Sequence, residues 1–161
     1  MQRGHCTIAL WNPKTPANVG GVLRAAGCYG VDLVVIAGKR RLNTLQHLST
    51  DTQSAWKHIP TIQPEDPFDV MPLGAIPIAV DLLEGAIPLP VFPHPERAFY
   101  VFGPEDGTLR EAITSRCAHK VMIPTAFCMN LAATVNVVLY DRLAKRLMAE
   151  KRNAAKFMEA A

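Results

Sequence analysis

Residues His5–Ala37 run HCTIALW, NPKTP, ANVGGVLRAAGCYG and VDLVVIA. His5–Trp11 is an apolar run of strand length, and Asn12-Pro13-Lys14-Thr15-Pro16 has the composition of a turn. Val19, Val22, Leu23 and Ala26 then recur at helical spacing, which predicts a helix from about Asn18 to Tyr29. Gly30 is placed to end it in a left-handed conformation, and Val31–Ala37 reads as a second, buried strand. Strand, helix and strand in this order form a crossover unit, which belongs to an α/β domain with a mostly parallel sheet.

The same alternation continues toward both ends. Nine of the 13 prolines fall between Pro60 and Pro95, so that stretch holds short strands and ordered turns rather than a long helix. Strands are expected at Ile76–Val80, Ala98–Phe102 and His119–Ile123. A short helix is expected at Thr108–Arg116 and a long one from about Met129. Residues 1–161 form a single domain of α/β class, with helices on both faces of the sheet. Leu131–Tyr140 (LAATVNVVLY) is apolar or small nearly all round, so more than one face is covered, either by the core or by a partner subunit. The basic end, from about 145 to 161, reads as a solvated helix face with a frayed terminus.

Composition excludes several classes. The chain has 161 residues, 49% hydrophobic and 19% charged, enough for one core without disulfides or a structural metal. Cys6, Cys28, Cys117 and Cys128 form no C-x-x-C pair, and His5, His47, His58, His94 and His119 show no metal-ligand spacing, so no metal is expected. No apolar run approaches the roughly 20 residues of a membrane span, and with no signal peptide evident a reducing cytoplasm is the expected location. Dinucleotide fingerprint, phosphate loop and nucleophile elbow are all missing, and no local signature marks a Cys–His nucleophile. The net charge of +3 conceals an uneven distribution. Residues 1–60 carry seven Lys or Arg against two Asp or Glu, whereas residues 61–111 carry two against nine. A polyanion would feel the basic first third locally, and the acidic middle is expected mostly to face elsewhere, apart from Glu105.

Three segments fall at carboxyl ends of strands, where α/β domains bind ligands. Asn18-Val19-Gly20-Gly21-Val22-Leu23-Arg24 opens the first helix, and Phe102-Gly103-Pro104-Glu105-Asp106-Gly107-Thr108-Leu109 is a strand-to-turn junction. Ile123–Leu131 (IPTAFCMNL) brings Asn130 to the start of the last helix. Each has a plain structural reading: an Asn cap, a glycine turn and a loop clamp.

Together, however, they resemble the SpoU/TrmH family of RNA ribose 2′-O-methyltransferases, part of the SPOUT superfamily, and its small members in particular. Asn18, Gly20 and Arg24 match the N-x-G-x-x-x-R pattern, and Phe102, Gly103 and Glu105 match F-G-x-E. Ile123, Pro124, Asn130 and Leu131 match I-P…S-x-N-L, with Cys128 where the family usually has serine. Gly107-Thr108-Leu109 likewise replaces the usual R-G-L.

The resemblance implies a C-terminal deep trefoil knot, a homodimer and S-adenosyl-L-methionine bound in the knot. The cofactor would lie at Val80, Asp81, Gly103, Glu105, Ile123, Cys128, Met129 and Leu131. Arg24, Asn18, Glu105 and Asn130 would form the catalytic set, with Glu105 orienting Arg24 or the knot loop. Lys14, Arg24, Lys39, Arg40 and Arg41 would bind RNA. The implied substrate is a ribose 2′-hydroxyl of tRNA, the anticodon wobble nucleotide being favoured. Ribosomal RNA, a non-catalytic RNA-binding dimer and an unknotted nucleotide-binding domain are the alternatives.

Overall fold

The computed structural model describes residues 4–40, 42, 48, 50, 51 and 53–159, the side chains of 156–159 excepted. Its strands are β1 (His5–Trp11), β2 (Leu33–Ala37), β3 (Thr61–Ile62), β4 (Ile76–Val80), β5 (Ile87–Pro88), β6 (Arg97–Phe102) and β7 (His119–Met122). Its helices are α1 (Pro16–Tyr29), α2 (Glu111–Thr114) and α3 (Leu131–Glu159). The seven strands form one sheet in the order β3-β2-β1-β6-β4-β7-β5, and every pairing is parallel.

The period of two along each strand sorts the core into two layers. Ile8, Leu10, Val34, Ile36, Ile78, Val80, Tyr100, Phe102 and Val121 point to one face. There they meet Val19, Val22 and Leu23 of α1 and Val135, Val138 and Leu139 of α3. The opposite face carries Ala9, Val35, Ala37, Ala79, Phe99 and Val101 under a thinner cover of Leu109, Ile113 and Phe68. Helices therefore cover both faces unequally, and the side toward α1 and α3 holds the larger residues.

Some strand ends differ from expectation by one or two residues, and the helix boundaries differ for local reasons. Helix α1 begins at Pro16 rather than Asn18, because proline lacks only an N–H that a first-turn residue does not use. Asn18 is therefore inside the helix, and Thr15, the capping residue, makes no side-chain cap bond. Helix α2 shrinks to Glu111–Thr114 because the preceding chain is held in the loop, where the Leu109 amide donates to Asp81 Oδ2 at 2.7 Å. Helix α3 continues unbroken to Glu159, so the described part of the basic end is helical. Gly30 does end α1 in the left-handed region, at φ 65°.

A polar cluster fixes α3 to the proline-rich segment before β6. His94 bonds Tyr100 through Nδ1 at 2.6 Å and Asp141 through Nε2 at 2.7 Å. An ionised carboxylate only accepts, so Nε2 carries the proton and the Tyr100 hydroxyl donates to Nδ1. Lys145 Nζ also reaches Asp141, at 2.6 Å, and donates to the carbonyls of Leu89 and Phe92. The buried Arg142 guanidinium donates to the Pro95 and Glu96 carbonyls. Such a fully partnered network selects one seating of the helix.

Candidate active site

A cleft opens at the carboxyl ends of β4, β6 and β7 and at the start of α3. Val80, Leu82, Phe102, Ile123, Met129 and Leu131 give it apolar walls, while Asp81, Glu105, Thr125 and Thr134 supply polar groups. All eight residues expected around the cofactor, namely Val80, Asp81, Gly103, Glu105, Ile123, Cys128, Met129 and Leu131, line it. Pro104, Gly107 and Thr125, from the same segments, line it too, as do Leu82 and Thr134, which the sequence did not single out.

Asp81 ties the loops of this cleft together. Its Oδ1 accepts from the Leu82 amide and its Oδ2 from the Leu109 amide, both at 2.7 Å, while its own amide donates to the Val121 carbonyl at 3.1 Å. A side chain on Gly103 would collide with that carboxylate, since an added Cβ would stand 2.4 Å from Asp81 Oδ2.

Helices α1 and α3 pack closely because small residues face each other. A Cβ on Gly21 would lie 2.8 Å from the Ala132 Cβ. This approach joins the three sequence segments through their polar side chains. Asn18 Nδ2 donates to Glu105 Oε1 at 2.9 Å, and Asn130 Nδ2 donates to Asn18 Oδ1 at 2.7 Å. Asn130 Oδ1 in turn accepts from the Ala132 and Ala133 amides, at 2.9 and 3.3 Å, and so caps α3. Each amide keeps one Nδ2 hydrogen for another acceptor.

Glu105 does not orient Arg24. Its carboxylate accepts from the amides of Lys14 (2.7 Å) and Thr15 (3.1 Å) as well as from Asn18, and so grips the loop that leads into α1. Burial pushes its pKa up, but the hydrogen bonds from Asn18 and from backbone amides outweigh this and hold it below the ordinary glutamate value. Arg24 is exposed on α1, forms no hydrogen bond or ion pair with a described residue, and is not among the residues lining the cleft.

Of the basic residues expected to meet RNA, Lys14 and Arg40 stand beside the cleft, next to Glu105 and Asp106. Arg40 is bonded to Asp106 through both arms of its guanidinium. Of the acidic middle, Asp81 and Asp106 stand at or beside the cleft as well as Glu105. Lys14 and Lys39 are exposed, whereas Arg41 and His47 lie outside the described residues. Asn12 was missed altogether. It adopts φ 49° and its Oδ1 accepts from the amides of Lys39 (2.7 Å) and Arg40 (3.3 Å). The only signal was an Asn-Pro turn, whose partners are distant in sequence. Among the described residues no group of His, Cys, Asp and Glu is assembled to hold a metal, and no helix is long and apolar enough to cross a membrane.

A wholly parallel sheet, a ligand cleft at its carboxyl edge and an Asn–Asn–Glu chain across two helices define an α/β ligand-binding domain. The profile of the SpoU rRNA Methylase family matches residues 5–140, and the chain belongs to that family. Comparison with curated proteins gives no match.

Among solved structures, the SpoU methyltransferase AviRb from Streptomyces viridochromogenes, in complex with the cofactor AdoMet, is similar with a TM-score of 0.80 and 19% identity. The match covers 92% of this chain but only 63% of AviRb. The A. aeolicus TrmH/SpoU tRNA modifying enzyme has a TM-score of 0.79 at 16% identity, over 92% of this chain and 79% of its own. A structure from work on the 2-OH methylation of C/U34 on tRNA has a TM-score of 0.75 at 23% identity, over 91% and 94%. These likenesses concern the fold.

Proposed function

We propose that this protein transfers a methyl group from S-adenosylmethionine to a ribose 2′-hydroxyl of RNA, with tRNA as the favoured substrate and the anticodon wobble nucleotide as the favoured position. The observation that carries this reading is the chain Glu105–Asn18–Asn130 at the rim of the cleft, since it unites all three segments that resemble the family's motifs. The work on C/U34 of tRNA associated with one structural neighbour supports the choice of RNA.

The cleft fits the methyl donor. An adenosyl group needs an apolar slot with a few polar contacts. Val80, Phe102, Ile123 and Leu131 supply the slot, while Thr125, Thr134 and backbone at Gly103 and Met129 supply polar groups. Backbone can come this close because position 103 has no side chain. Bound there, S-adenosylmethionine supplies an electrophilic sulfonium methyl group.

The residues' work is then mostly alignment, which can lower such a barrier by about 7–11 kcal/mol in the best cases. Asn18 and Asn130 each have a free N–H to hold the ribose. Arg24 is a poor base, because a guanidinium has no acceptor and does not give up its proton in a protein. It would grip the phosphate beside the target nucleotide and stabilise the developing alkoxide, the hydroxyl proton passing to water as S-adenosylhomocysteine leaves. Its exposure leaves it available to RNA, in this protomer's site or across a dimer.

We also propose the knot and the homodimer. In support of the knot, β6 lies between β1 and β4, and the chain then passes back beyond β4 to form β7 between β4 and β5. In support of the dimer, Tyr140, Leu143 and Leu147 share one face of α3 and are 62%, 40% and 55% exposed. Leu131, Val135, Val138 and Leu139 meanwhile fill the core, so α3 is both a core helix and the bearer of an uncovered apolar stripe.

The test is Arg24→Ala, assayed with labelled S-adenosylmethionine and total tRNA. Methyl transfer should fall by about 100-fold or more while cofactor affinity stays within about twofold. Near-normal turnover would contradict the assignment of Arg24.

A further inference from the structure

The turn that carries Glu105 carries a second acid, and that acid organises the basic residues around it. Arg40 Nη1 donates to Asp106 Oδ1 at 2.8 Å and Nη2 to Oδ2 at 2.9 Å, a bidentate pair. Lys14 Nζ stands 3.6 Å from Oδ2. The fork is held from behind as well, because Nη1 also donates to the Asn12 carbonyl at 3.1 Å and Asn12 Oδ1 accepts the Arg40 amide at 3.3 Å. Lys14 is anchored through its own amide, which donates to Glu105 at 2.7 Å. Two cations thus share one carboxylate on a turn whose neighbours Pro104, Glu105 and Gly107 line the cleft. With side-chain exposures of 60% for Lys14 and 44% for Arg40, both remain open to a ligand in solvent. Ion pairs this exposed add little to stability, so the double anchoring asks for another account.

We propose that Asp106 is a positioning residue for RNA, fixing Arg40 and Lys14 as one phosphate-binding point beside the cleft and offsetting half of their charge. This rests on the reading of the cleft as an RNA methyltransferase site. Free cations on a surface attract any nucleic acid, because contact with phosphates carries affinity without sequence or shape. A carboxylate that already holds the guanidinium fork lowers that general attraction. It also fixes where a phosphate must arrive to be bound by Lys14 and by the outward side of Arg40. A strand whose backbone reaches that point while its ribose enters the cleft benefits, and other RNA does not. Asp106 therefore lowers affinity and raises selectivity.

Asp106→Asn is nearly isosteric, keeps one acceptor and removes the charge. Wild type, D106N and R40Q are compared on two probes, a hairpin RNA with a single-stranded loop and a blunt RNA duplex of equal length. Affinity is measured over a range of salt, with steady-state methyl transfer to the hairpin in parallel. D106N should bind both RNAs about three- to tenfold more tightly, with a salt dependence steeper by about 0.7–0.9 in log–log slope. Its preference for hairpin over duplex should fall, and KM and kcat should fall together. R40Q should lose the preference without any tightening.

A structural role alone would not tighten binding. In a wild type that methylates the hairpin, unchanged or weaker RNA binding by D106N, or an intact hairpin preference, would overturn the inference. A wild type that neither binds nor methylates RNA would overturn the underlying reading, and the inference with it.

Discussion

Asn18 shows how one side chain can decide the polarity of a site. Glu105 is an ionised acceptor, so the nitrogen of the Asn18 amide must face it and the oxygen must face Asn130. Asn130 must then offer its own nitrogen to Asn18, which leaves its oxygen for the first amides of α3. Asn18→Asp keeps the size and reverses this logic, since two carboxylates would then stand at hydrogen-bond distance. At neutral pH the variant should be destabilised by about 1 kcal/mol, modest because the network is solvent-exposed. Methyl transfer should be lost, and stability should partly return in mild acid, where one carboxyl can take a proton. Thermal melts at neutral and mildly acid pH check this; equal stability of variant and wild type at both would refute it.

The three members of the network were all legible in the sequence as residues of the right type beside predicted turns. Their partners were not legible, because the pairing depends on how closely Gly21 and Ala132 let the two helices approach. Asp106 was obscured for a related reason. Charge counted over a segment cannot distinguish an acid turned to solvent from one turned to an arginine 66 positions away.

At the scale of elements, two features tie the cleft to the rest of the fold. The first is the crossing of β4 with the loop after β6, where Asp81 bonds Leu109 and leaves no room for a side chain at Gly103. Gly103→Ala should push the carboxylate off the Leu109 amide, cost about 1–3 kcal/mol in denaturant unfolding and weaken S-adenosylmethionine binding as measured by calorimetry.

The second is the His94 cluster beneath α3. Burial lowers the His94 pKa, Asp141 raises it through a hydrogen bond and charge, and the net is below the ordinary histidine value. The unfolded chain therefore takes up this proton at higher pH than the folded one does. Stability from His94 is complete above about pH 6.5 and is lost as pH falls through its folded pKa. Melting temperature should drop between about pH 7 and pH 5 in wild type, and less steeply in His94→Gln, in which this titration is absent. Parallel curves for the two proteins would show that His94 does not couple α3 to pH.

The strands and the two long helices of this architecture were readable because apolar periodicity survives in a single sequence. The two-residue strands β3 and β5 were not, since they sit at or near the sheet edges in a proline-rich stretch without a period of their own.

For the molecule as a whole, the proposed dimer places the uncovered α3 stripe against a second copy in an isologous contact. Leu143→Glu with Leu147→Glu should convert a dimer to monomer in sedimentation without loss of helix by circular dichroism. A wild type that sediments as a monomer would refute the dimer outright. Dimerisation would also bring two sets of Lys14, Arg24, Lys39 and Arg40 onto one particle, so the modest net charge of +3 understates what an RNA strand would meet. RNA affinity should accordingly fall steeply with salt.

Ribose methyl transfer is tested most directly by its product. The purified protein is incubated with methyl-labelled S-adenosylmethionine, total tRNA and total rRNA, and the labelled nucleoside is identified and mapped by mass spectrometry. The expected product is a 2′-O-methylated ribose in tRNA, at the wobble position of the anticodon loop. Label on a base, or none in any RNA, would contradict ribose methyl transfer, and label confined to rRNA would contradict the assignment to tRNA.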